Sequence, residues 1–273
     1  FRKECREFAL KWIDIQRAEF IRLGIIGDWA NPYTTMSFDA ESTIVKEFFK
    51  FVENDSLYRG SKPVMWSTVE KTALAEAEIE YKEHKSITIF VKFPIKESSD
   101  SDLKGSSVVI WTTTPWTIPG NRAIAYSKNI KYSLFQIGET EENSHLNIKD
   151  RIIIAHDLEE SFKEQCKVKS LTKIKDIDDV GSFICSHPFA KSDYNFDIKL
   201  YEADFVTLEQ GTGFVHIAPG HGADDYLLGM ANNIEVPETV DQDGYYFDHV
   251  PLFKGKKIFN DDGTDADANV AVI

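Results

Sequence analysis

Apolar positions repeat with a helical period at the start of the chain and with a strand-like period through its middle. Phe1, Cys5, Phe8, Trp12 and Ile15 fall four, three, four and three residues apart, one face of a helix over residues 1–23. A second helix is expected to begin at Ser37 or Asp39, either of which can cap it. It carries Ile44, Phe48 and Val52 at every fourth position. "GDWANPYTTM" between them, with Gly, Asn and Pro, reads as a loop. After Lys62 the pattern changes. "ITIFVKF", "SSVVIWTTT", "YSLFQI" and "RIIIAH" are β-branched or aromatic and bounded by turn residues, so they predict strands.

Further on, "DLEESFKEQC" (157–166) predicts a helix. "ADFVTLEQGTGFVHIA" predicts one or two strands broken at Gly-Thr-Gly. "ADDYLLGMANN" (223–233) predicts a helix with Asp224 and Asp225 in its first turn, and residues 241–273 predict short strands between glycine turns. The polar stretch 139–150 predicts an exposed hairpin tip, and no internal repeat is present. Strands with interspersed helices, not in strict alternation, favour an α+β fold with a mixed or barrel-like sheet over a doubly wound one.

Composition narrows this picture modestly. The 273 residues are 42% hydrophobic, enough for a real core in one large or two smaller domains. No apolar run is long enough for a transmembrane helix, so no membrane partner is expected. The chain opens at Phe1 without Met and inside a helical pattern, as expected of a piece of a longer protein. Cys5, Cys166 and Cys185 lie far apart and are odd in number, which points to a reducing, cytoplasmic setting. A net charge of −14 argues against wholesale attraction to nucleic acid, so any RNA contact should be local.

Two stretches carry the chemistry. The first is "WTTTPWT" (111–117). On an extended strand Thr112 and Thr114 face one way and Thr113 the other. Pro115 ends ladder pairing, so the strand should run out at a rim. From composition alone this is a threonine-rich strand end. The functional alternative is a row of positioning hydroxyls, since a threonine without an adjacent base is a poor nucleophile. Trp116 reads equally as a wall or a substrate contact. The second stretch is "GTGFVHIAPGHGADDY" (211–226). Its glycines permit close backbone approach, and His216, His221, Asp224 and Asp225 converge on one loop. These four side chains could ligate a metal, although the spacing matches no common metal motif. Alternatively Asp225 could pair with a substrate ammonium while His216 shapes the pocket. A His–Asp dyad is a third option, weakened by the lack of a nearby Ser or Cys. His145, His156, His187 and His249 stand alone and read as surface or structural residues, and the acidic runs read as solvated surface.

Together the two stretches resemble the editing domain, connective peptide 1, inserted in class I isoleucyl-tRNA synthetases. The resemblance rests on "WTTTPWTIPGNRAIAYS" (111–127) and "GTGFVHIAPGHGADDYLLG" (211–229), and extends to "FIRLGIIGDWANPYTTM" (20–36) and "KPVMWSTVEKTALAEAEIEY" (62–81). Valyl and leucyl relatives typically read TTRP where this chain has Thr112-Thr113-Thr114-Pro115, and lack His at the position of His216. Ser67 and Glu70 stand where some relatives carry cysteines, so a zinc knuckle is not expected there.

The resemblance implies a helical connective segment at 1–62 and an editing domain with a β-barrel-like core at 63–273. It implies hydrolysis of valine misattached to the isoleucine tRNA, by water, with neither metal nor covalent intermediate. Asp225 would bind the α-ammonium and His216 would set the size limit. Thr112, Thr113 and Thr114, with Trp116, would line the pocket and contact the amino acid and terminal adenosine. No HIGH-like or KMSKS-like signature is present, so ATP would be used by a catalytic domain outside this segment, and no cofactor is expected within it. The expected partners are the mischarged tRNA 3′ end and the rest of the synthetase chain, with the segment itself monomeric. Rival readings are an editing domain that removes threonine, a metal-dependent hydrolase on His216, His221, Asp224 and Asp225, and a non-enzymatic RNA-end binder.

Overall fold

The computed structural model describes all residues from Phe1 to Ile273. The chain divides into two compact units, Phe1–Gly60 and Ser61–Ile273.

The first unit holds helices α1 (Arg2–Arg22) and α2 (Phe38–Glu53). Ser37 is the cap of α2. Its side-chain oxygen accepts from the Ala40 N–H, satisfying a donor that the helix itself leaves free. Arg6 of α1 donates to the Met36 carbonyl and pairs with Glu41 at 3.0 Å. Neither helix buries a residue fully, and Phe8, Trp12, Ile44, Phe48 and Val52 of the expected apolar faces are exposed.

In the second unit a short hairpin comes first, β1 (Trp66–Ser67) with β2 (Thr72–Ala73), its turn carrying Ser67 and Glu70. Nine further strands form one mixed sheet: β3 (Ile89–Glu97), β4 (Ser106–Thr112), β5 (Ala123–Tyr126), β6 (Tyr132–Thr140), β7 (Arg151–Ala155), β8 (Val168–Ile177), β9 (Ile184–Ser186), β10 (Asp197–Glu202) and β11 (Val215–Ile217). Their order is β11-β5-β10-β9-β3-β4-β7-β6-β8. The pairs β4–β7 and β5–β10 are parallel and the rest antiparallel.

Strand β3 turns the corner. Residues 89–94 pair with β4, while Ile95 and Glu97 pair with β9 across a register shift. A strand that changes partners through a bulge folds a sheet over on itself. The two halves close over one core containing Phe93, Val108, Ile110, Ile124, Leu134, Ile153, Ile198 and Phe214. The other face of β4, β6 and β7 is buried too. Val109, Phe135, Ile152 and Ile154 pack under Phe162 of helix α3 (Glu159–Gln165). Burial on both faces explains the unbroken apolar runs "VVI" and "III", where a half-exposed strand would alternate.

The irregular segments differ from the sequence pattern. Between Ala203 and Phe214 no strand forms, so "ADFVTLEQGTGFVHIA" holds β11 alone. Gly213 has φ +78°, and a Cβ there would lie 2.5 Å from that of Ala155, so this glycine admits a neighbouring strand. The Tyr132 hydroxyl donates to the Gly213 carbonyl at 2.7 Å, and the Ala155 N–H to the Thr212 carbonyl at 2.8 Å. Helix α4 (Ala223–Ala231) follows β11 and carries Asp224 and Asp225 in its first turn. Residues 240–265 form isolated bridges in place of the expected short strands, and the chain ends in an unanticipated helix, α5 (Asp267–Val272).

Candidate functional site

Strand β4 ends at Thr112, and its next residues turn at once into a 3-10 helix over Pro115–Gly120. Pro115 causes the switch, since it has no N–H for the ladder and its φ suits the first helical position. Thr112 and Thr114 stay on one side, their hydroxyls 3.2 Å apart, and the Thr114 N–H donates to Thr112 Oγ1. In a 3-10 turn residues i and i+3 eclipse. Thr117 therefore comes under Thr114, and its hydroxyl donates to the Thr114 carbonyl at 2.9 Å.

That same hydroxyl lies 3.1 Å from His216 Nε2 in the middle of β11. Its single proton is committed to Thr114, so it accepts here, and His216 is the neutral tautomer with the proton on Nε2. Burial, then the neighbouring His221 and His187, push the His216 pKa down to about 4. The ring therefore carries no charge at neutral pH.

Asp225 arrives from the first turn of α4. Its Oδ2 accepts from the Ala218 N–H at 2.7 Å, and no lysine or arginine pairs with it. Burial raises its pKa to about 6, against the lowering effect of the Ala218 bond. A half-buried carboxylate without a counter-ion is a ready acceptor for an incoming cation. Gly222 makes room for it, since a Cβ there would stand 3.0 Å from Asp225 Cγ.

These groups line a single cavity of about 370 Å³. Thr112, Thr113, Thr114, His216 and Asp225 are all on its wall, with Thr117, His221, Gly211 and Gly213. Thr112 and His216 are buried, Asp225 is half-buried, and Thr113 and Thr114 are open at the mouth. Trp116 is the exception. It is not on the cavity wall, and its ring packs edge-on to His221 at 4.8 Å and to Phe259 at 6.0 Å. Thr117, which the strand-based reading passed over, is on the wall; its signal was the i+3 spacing from Thr114 across a proline.

His221 Nε2 meets Thr239 Oγ1 at 2.7 Å, and burial lowers its pKa to about 4. Asp224 points to solvent. The side chains of His216, His221, Asp224 and Asp225 are not gathered into a group of three or more that could hold a metal ion. The chemistry available is that of hydroxyls, neutral imidazoles and one uncompensated carboxylate around the cavity.

Comparison with known proteins agrees with the motifs. The family model described as tRNA synthetases class I (I, L, M and V) matches residues 1–136. The isoleucine–tRNA ligase of Pelagibacter ubique is 52% identical over 261 residues, 95% of this chain and 28% of its own length. The chain belongs to the class I aminoacyl-tRNA synthetases. The isoleucine–tRNA ligase of Bradyrhizobium diazoefficiens is 48% identical over the whole of this chain, again 28% of that protein. The chain thus spans a little over a quarter of the length of these synthetase relatives. A solved leucyl-tRNA synthetase editing domain from P. falciparum is similar at a TM-score of 0.36, with 13% identity over 50% of this chain and 53% of that one, too distant to bear on the site. No helix is long and apolar enough to cross a membrane.

Proposed function

We propose that this segment is the editing domain of an isoleucine-specific synthetase, and that it hydrolyses the ester of valine mischarged onto the isoleucine tRNA. The observation that supports it most is the uncompensated Asp225 carboxylate lining the same cavity as the threonine row. An aminoacyl ester presents an α-ammonium, and that cation both pairs with Asp225 and lowers its raised pKa, keeping it ionised.

The chemistry asks little of the protein. The ester is already activated, so a held water can add to its carbonyl while the ribose oxygen leaves and takes up a proton. Valine and free tRNA are the products. Orientation and hydrogen bonds to the developing oxyanion lower the barrier without a strong base. That suits a site whose two histidines are kept neutral. Thr112, Thr113 and Thr114 supply hydroxyls that donate and accept around the water, the carbonyl and the ribose.

Selectivity follows from the wall. One methylene is worth only about 1–3 kcal/mol in a binding pocket, a figure established on synthetases of this kind, so a second sieve must remove the smaller product. His216, held by Thr117, forms a rigid limit that valine passes and isoleucine does not. ATP chemistry belongs to the remainder of such a synthetase, and the tRNA 3′ end enters this cavity as a single strand.

The test is deacylation of purified Val-, Thr- and Ile-tRNA(Ile) by the intact protein. Valyl ester should be cleaved far faster than isoleucyl ester, and Asp225→Ala should abolish cleavage while the melting temperature stays put. Activity confined to the threonyl ester, or unchanged by Asp225→Ala, overturns the reading.

A further inference from the structure

The turn that carries the hydroxyls is gripped from outside the sheet. Within Thr114–Thr117 both backbone polar groups of Trp116, one in each peptide flanking its Cα, are held by the last part of the chain. The Trp116 N–H donates to Asn269 Oδ1 at 3.0 Å, and the Trp116 carbonyl accepts from the Tyr246 hydroxyl. Asn269 is in helix α5 and is buried, as is Tyr246. Ordinarily these two groups would be free. The N–H of residue two in a 3-10 helix has no intrahelical acceptor, and its carbonyl here serves no further turn. Two side chains from 130 and 153 residues away supply what the turn lacks.

The consequences run directly to the cavity. Trp116 is flanked by Pro115 and Thr117, and Thr117 is the residue that orients His216. Tilting either peptide beside Trp116 would rotate Thr117 away from His216 Nε2 and carry Thr114 with it, since Thr117 bonds the Thr114 carbonyl through both its N–H and its hydroxyl. A third anchor fixes the next residue. The Ile118 carbonyl meets His187 Nε2 at 3.0 Å, while His187 Nδ1 accepts from the Phe189 N–H, so the His187 proton is on Nε2 and donates. The Trp116 ring completes the grip between His221 and Phe259.

We propose that Asn269 and Tyr246 are positioning residues for the deacylation, setting Thr114, Thr117 and through them His216 around the ester by clamping the backbone on both sides of Trp116. The assignment rests on the editing reading above for its reaction, and on the clamp geometry alone for its effect on His216. Neither residue touches substrate. They hold the two peptide groups that flank the Trp116 Cα, so they act together. A clamp of this kind leaves ammonium binding at Asp225 alone, because Asp225 is held separately by Ala218.

The experiment uses the intact protein with Asn269→Leu, Asn269→Asp, Tyr246→Phe and the Leu/Phe double variant, each checked by melting. Single-turnover cleavage of Val-tRNA(Ile) at saturation is expected to fall at least tenfold in Asn269→Leu and Tyr246→Phe. Asn269→Asp, which keeps the acceptor oxygen, should recover most of the rate. The double variant should lose less than the product of the two single losses. Affinity for the uncleavable amide 3′-valylamino-3′-deoxyadenosine should change less than threefold. The 15N signals of His216 should leave the Nε2–H tautomer pattern in the Leu and Phe variants. Rates within twofold of the parent with unmoved His216 signals overturn the proposal. So does equal loss in Asn269→Asp and Asn269→Leu. If Asn269→Leu does not fold, Tyr246→Phe decides. If Asp225→Ala leaves Val-tRNA cleavage intact, the editing reading fails and the His216 signals alone decide the clamp.

Discussion

The Thr117 hydroxyl accepts from His216 Nε2 at 3.1 Å, joining two motifs that lie 99 residues apart. It fixes the tautomer and the ring plane of the residue that limits the cavity. Thr117→Val keeps the shape and removes the acceptor, leaving a buried N–H without a partner at a cost of about 1–3 kcal/mol. Chemical denaturation should register that loss, and Thr117→Ser should show less than half of it. The valine variant should also discriminate poorly between valyl and isoleucyl esters.

Gly222→Ala tests the approach of Asp225. The added Cβ would lie 3.0 Å from Asp225 Cγ and Oδ1, so the carboxylate must move. Relief of a clash this size costs about 1–3 kcal/mol when the surroundings are fixed, and less when one side chain swings aside. Deacylation should fall at least tenfold with the melting temperature nearly unchanged. Affinity for an uncharged analogue lacking the amine should not respond.

Activity should decline as pH drops through about 6, where the Asp225 carboxyl takes up its proton and no longer pairs with an ammonium. The decline in kcat/KM should follow a single ionisation. A deacylation profile flat from pH 7 to 5 would contradict the role of this carboxylate.

Stability has its own pH dependence, with two opposed contributions. His187, His216 and His221 each have a folded pKa near 4, below the ordinary 6.5. The unfolded chain therefore binds more protons between pH 6.5 and 4, and stability falls as pH falls through that window. Asp225 is raised from 3.8 to about 6, so there the native state binds the extra proton and stability rises as pH falls from 6 to 4. Three groups outweigh one, and the melting temperature should drop between pH 6.5 and 4. Asp225→Asn removes the opposing contribution and should steepen that drop.

Phe93 is fully buried where β3 leaves β4 for β9, in the core shared by both halves of the sheet. Phe93→Ala should cost about 3–5 kcal/mol by urea or guanidinium unfolding, the usual range for a large core deletion. Because the same core backs Ile118 and Ile124, activity should fall with stability in this variant, unlike in Gly222→Ala.

The elements were legible where local pattern and final burial agree. Strands β4, β6 and β7 are buried on both faces, and their apolar runs stand out without any partner in view. Helix α4 opens with Asp224 and Asp225, a first-turn signature. Strands β5, β8, β9 and β10 were not singled out. β9 has three residues and β10 six. β8 is an edge strand whose Lys169, Lys173 and Lys175 mask its alternation, as charges on an edge commonly do. Helix α5 has six residues, too short to declare a period.

The site divides in the same way. By itself the sequence determined the residue types and their order: a threonine row ended by a proline, and a glycine-rich loop delivering His216 and Asp225. Those follow from covalent neighbours, and the turn at Pro115 follows from its fixed φ and missing N–H. Only the tertiary structure decided which of them face one cavity. It placed Thr117 on the wall and Trp116 off it, because a 3-10 turn rotates each residue by a third of a circle where a strand would alternate. It also raised the Asp225 pKa and lowered that of His216, since desolvation depends on what the fold packs around a group and not on its neighbours in sequence.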